Sequence, residues 1–220
     1  MAQLFHRGAN NIAKASMVLA IVLAGVAFFV YSYIARSSYL TGALTEKQQP
    51  VQFSHRHHVG DDGIDCRYCH TSVETSASAG IPSTQTCMNC HNQLFVDQPY
   101  LEPIRASFRD NKPIEWERVH DLPGFAYFNH SIHVKKGVGC ATCHGDVGNM
   151  AAVYQTNTLQ MEWCLACHRD PAPNIRPKDE IYNTSWNPRD ITDEQQKEVD
   201  EKIKSLRSKE LLTSCSTCHR

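Results

Sequence analysis

The chain has 220 residues, 20% charged and 41% hydrophobic, with a formal net charge of -1. That length suits one modest domain plus a short membrane or targeting element, and the near-neutral balance excludes a nucleic-acid binder driven by basic surface. Against this ordinary background stand ten cysteines and twelve histidines, which imply disulfides, metal or a thiol-bound cofactor.

Residues 1–15 precede an uncharged run from Ser16 to Ile34, SMVLAIVLAGVAFFVYSYI, so 16–36 are predicted as a transmembrane anchor. As a helix the run reaches about 28 Å, close to the hydrocarbon thickness of a bilayer. Tyr31 and Tyr33 stand where an aromatic belt is expected. A cleaved signal peptide has a shorter apolar core of ~7–15 residues and a small-residue cleavage site, so the anchor is read as uncleaved. Arg7 and Lys14 before it, against Arg36 after it, favour a cytoplasmic N-terminus with the rest of the chain outside. Residues 37–50 are polar and read as a tether, and 51–220 as the water-exposed domain.

All ten cysteines fall in five Cys-x-x-Cys-His units. These are Cys66/Cys69/His70, Cys87/Cys90/His91, Cys140/Cys143/His144, Cys164/Cys167/His168 and Cys215/Cys218/His219. From composition, one cysteine is followed in this way about once in 400 trials, so five units using every cysteine mark the c-type haem attachment signature. Two thiols bond the haem vinyl groups and the adjacent histidine reaches the iron from the proximal side. Zinc ribbons would need two Cys-x-x-Cys pairs per metal and would leave one over. Disulfides give no reason for the following histidine. Five haems in this length leave little room for a side-chain core, so the expected fold is mainly irregular, with short helices wrapped around haem.

Two stretches repeat. Phe53-Ser-His55-Arg-His57-His58 precedes the first unit, and Phe128-Asn-His130-Ser-Ile-His133 precedes the third. His55 aligns with His130 and His58 with His133, whereas His57 aligns with Ile132 and reads as a surface residue. The His-x-x-His spacing is one helical turn, with both rings on one face. His6 lies on the far side of the anchor. This divides the domain into a first haem group at 51–91, an insert at 92–127 and a second haem group at 128–220. In the insert Leu101, Ile104 and Phe108 have helical spacing, and Thr192 with Gln195 reads as a capping box before a helix carrying Val199, Ile203 and Leu206.

Phe-x-His-x-x-His ahead of Cys-x-x-Cys-His is similar to the start of class III cytochromes of the c3 and c7 type. The resemblance implies that His55 is the distal ligand of the haem on Cys66/Cys69, and His130 of that on Cys140/Cys143. It implies that His58 and His133 serve neighbouring haems. The fifth haem would take His120, in RVHDLPGFAYFNH, or Met161, three residues before Cys164. Methionine in place of a second histidine would raise the reduction potential.

The whole chain resembles the membrane-anchored pentahaem cytochrome c subunit of alternative complex III, a quinol:electron-acceptor oxidoreductase. That family implies an electron-transfer subunit rather than a catalyst by itself. Its partners would be an iron–sulfur subunit, polytopic quinol-binding subunits and a monohaem cytochrome c or an oxidase. Two alternatives remain. One is a self-sufficient anchored quinol dehydrogenase feeding a periplasmic reductase, which usually has four haems starting closer to the anchor. The other is a multihaem reductase with one open iron.

Overall fold

The computed structural model describes residues 5–219 and divides into two compact units, 1–43 and 44–220.

In the first unit α1 (Ala9–Arg36) carries no charge between Lys14 and Arg36 and buries no residue. It is one helix long and apolar enough to cross a membrane. Helix starts at Ala9 rather than at Ser16, because the intervening residues lack proline and continue the same backbone hydrogen bonds. A short α2 (Ser38–Thr41) closes on Gly42, whose φ of 68° suits glycine at a helix end.

The second unit contains only short helices joined by long loops. They are α3 (Cys66–Cys69), α4 (Thr84–His91), α5 (Glu102–Asp110), α6 (His130–Lys135), α7 (Cys140–His144), α8 (Met161–Arg169), α9 (Asp193–Lys204), α10 (Lys209–Leu212) and α11 (Cys215–Cys218). Among the described residues there is no strand, only two isolated antiparallel bridges, Glu46 with Tyr154 and Val138 with Ile175.

Residues 44–50, expected as free tether, are held to this unit. Leu44 N–H donates to the Gln155 carbonyl, Lys47 to the Arg118 carbonyl, and Gln49 exchanges two bonds with the Glu117 backbone. Their polar side chains act as cross-links, which composition alone does not distinguish from solvation.

The side-chain core is small. Among the described residues Val51, Leu101 and Ile104 form one cluster, backed by Met88, Ile114 and Trp116. Thus α5 turns its helical stripe onto α4, while Phe108 is left largely exposed. The capping box forms as the sequence implies: Thr192 accepts from Gln195 N–H, and Gln195 reaches back to Thr192 N–H. Gly137 and Gly139 are buried under Arg176, which crosses so closely that a Cβ on Gly139 would sit 2.3 Å from its Nε.

Candidate functional site

Each Cys-x-x-Cys pair lies on a short helix, so the two thiols face one side and the histidine leaves at the helix end. All ten thiols are free, with no disulfide among them. Among the described residues no three His, Cys, Asp or Glu side chains converge as a zinc site requires.

The histidine rings are oriented by the backbone. His70 Nδ1 donates to the Gly80 carbonyl at 2.7 Å, His91 to Leu94, His168 to Leu212 at 2.7 Å and His219 to Phe125 at 2.9 Å. Of the upstream histidines, His58 donates to Ser54, His130 to Ala77 and His133 to Asn129. A carbonyl only accepts, so each of these seven rings donates through Nδ1 and leaves Nε2 as the nitrogen a metal could meet. That outer-shell bond is the one metal-bound histidines commonly make.

The two repeats have the same geometry. Phe53 meets His55 edge-on at 4.8 Å and stacks on His58 at 4.4 Å. Phe128 meets His130 edge-on at 4.8 Å and stacks on His133 at 4.5 Å. The phenyl ring therefore aims both histidines, a role visible in the sequence only as a shared Phe two positions ahead. The first copy differs in winding, because residues Arg56–Asp61 form a single wider turn with i to i+5 bonds where α6 is a regular helix.

Distances between rings test whether iron fits. An iron held by two imidazole nitrogens at about 2 Å each separates the ring centres by roughly 6 Å. His58 and His91 are 6.2 Å apart, His133 and His168 6.2 Å, and His130 and His144 6.4 Å. The residues present therefore fit the cofactor. Burial is the first cause, with neighbouring His120, His130, His70 and His55 adding to it, that lowers His144 to about 3. Burial followed by His70 and His58 lowers His55 to about 4. Both stay neutral at ordinary pH, the form that ligates iron. His55 Nδ1 is buried without a partner.

The two candidates for the fifth haem fall in different places. His120 lies 4.2 Å from His144, too close for an iron between them, and its Nε2 is buried without a partner. Met161 is exposed at the first position of α8, one turn ahead of Cys164. The ring beside His219 is Phe125, at 5.9 Å. His57 is exposed, and its Nδ1 pairs with the Asp61 carboxylate at 2.9 Å.

Residues 34–115 match the class III cytochrome c family, and residues 126–220 match the family of cytochrome c7 and related cytochromes c. The multihaem cytochrome c subunit of a menaquinone reductase from Nitratidesulfovibrio vulgaris is 30% identical over 145 residues, covering 56% of this chain and 69% of that protein. The chain belongs to the class III multihaem cytochrome c family. The cytochrome is an electron carrier with covalently bound c-type haem, and the two family matches divide it where the insert separates the two repeats. When bound, the haems supply one-electron chemistry at iron. The chain's own part would be to tether them by its Cys-x-x-Cys thiols and aim the imidazoles at iron.

Proposed function

We propose that all five units carry haem c and that the cytochrome relays electrons in a membrane respiratory complex. It would receive them from an iron–sulfur subunit after quinol oxidation by polytopic subunits, as in alternative complex III. It would pass them to a monohaem cytochrome c or a terminal oxidase. The observation that carries this reading is the spacing of three histidine pairs at 6.2–6.4 Å. Two imidazoles on one iron fill its axial positions, which favours electron transfer over substrate binding. His55 with His70 would close the first haem. Met161 is the proposed ligand of the fifth, because α8 packs on α10 beside the last unit, whereas His120 sits against the third. α1 would anchor the cytochrome with its N-terminus cytoplasmic and its haem domain outside.

A second reading reverses the direction. The relative's name is that of a menaquinone reductase subunit, so the cytochrome would instead carry electrons toward a quinone. Mild-detergent purification from native membranes tests both. An iron–sulfur subunit with polytopic partners, active in quinol oxidation, supports the first. The same assembly active only in quinone reduction supports the second. A lone nitrite or nitrate reductase as partner would contradict both and leave a self-sufficient quinol dehydrogenase.

A further inference from the structure

We infer that the haems stand in the spatial order second, first, third, fourth, fifth, and that electrons enter and leave through the second and fifth, the two ends of this line. The inference rests on the five-haem reading above. It departs from chain order, because the first repeat touches the second unit through His58 and the segment after the third through Gly60.

Four junctions between units set the order. The second unit touches the first: Asn89 on α4 donates to the Tyr68 hydroxyl on α3 at 3.0 Å, and His58 of the first repeat faces His91. The first touches the third through one strip of backbone. The Cys66 thiol contacts the Tyr182 carbonyl at 3.9 Å, and Cys140 N–H donates to the adjoining Ile181 carbonyl at 3.0 Å. Gly60 lies against the Gly148 carbonyl just past the third unit. The third touches the fourth through His133, which faces His168. The fourth touches the fifth, as His168 Nδ1 is held by the Leu212 carbonyl and Thr217 of α11 by that of Leu211.

Among the described residues no hydrogen bond or ring contact joins the second unit to the third, fourth or fifth. Exposure gives an independent sign of where the line ends. Cys90 of the second unit and Cys215 of the fifth are the exposed cysteines, whereas the other eight are partly covered.

In each hop one ferrous haem is oxidised and its ferric neighbour reduced by one electron. Net flow therefore needs a one-electron donor at one end and a one-electron acceptor at the other.

Haem content of the purified holoprotein comes first. Fewer than five haems per chain would refute the five-haem reading rather than the order. With five present, anomalous scattering from iron should give 2–1, 1–3, 3–4 and 4–5 as the nearest pairs. A closest pair such as 2–3 or 2–5 would overturn the order. For the ends, a ruthenium photosensitiser would be attached to Gln93→Cys, Leu211→Cys or Ser185→Cys, all exposed positions. The first two flank the terminal units and the third lies beside the middle ones. Haem reduction after the flash should be at least tenfold faster from the first two. Equal or faster reduction from position 185 would overturn the assignment of the ends.

Discussion

The Phe53 ring lies 4.4 Å from the His58 ring and within 25° of parallel to it, and Phe128 repeats the relationship on His133. An aromatic contact of this kind contributes about 0.5–1.5 kcal/mol beyond area burial. Phe53→Leu keeps the apolar volume but frees the histidine. It should lower Tm by about 2–4 °C per kcal/mol lost and shift the low-spin electron paramagnetic signal of one haem. Phe128→Leu should do the same to a different haem.

His133→Ala should open one iron. Its ring stands across from His168 at the separation an iron requires, so removing it should convert one ferric haem to high spin. Carbon monoxide should then bind that haem after reduction. His57→Ala should leave the spectrum unchanged, since His57 is exposed and bonded to Asp61.

Gly60→Ala should destabilise the fold. Its Cβ would come within 2.6 Å of the Gly148 carbonyl oxygen, a backbone atom that cannot swing aside. Forcing such an overlap costs about 1–3 kcal/mol, to be read from thermal unfolding followed in the Soret band.

Glu198 tests acid stability. Its hydrogen bond to Lys202, with further help from Lys178, holds its carboxyl below the ordinary 4.5. A depressed folded value stabilises above the unfolded value, and the contribution is lost as pH falls through the folded one. Glu198→Gln should therefore unfold at a lower temperature than the wild type near neutrality. The gap should close as pH falls well below 4.5.

What the sequence made legible was whatever repeats or sits close in the chain. The five Cys-x-x-Cys-His units, the apolar span, the paired Phe-x-His-x-x-His starts and the Thr192 cap all depend on residues within a few positions of one another. What it hid depends on distant backbone. The carbonyls that orient His130, His168 and His219 lie 53, 44 and 94 residues away, and no local pattern encodes a carbonyl partner. The contacts of the expected tether were hidden for the same reason, since the groups that bind Lys47 and Gln49 come from Arg118 and Glu117. Placing His120 and Met161 likewise needed the fold, because the repeat has no counterpart of either.

The small core has a consequence for how the cytochrome is made. Only nine hydrophobic side chains are buried among the described residues, too few to offset the ordering of a chain this long. Porphyrin must supply the missing apolar interior, so attachment has to come before compaction, while the thiols are still reachable on a loose chain. Thioether bonds are permanent, and a molecule assembled in this sequence has no route back to a cofactor-free folded state. Haem supply during assembly would then govern how much of the cytochrome accumulates, more than the intrinsic stability of its polypeptide.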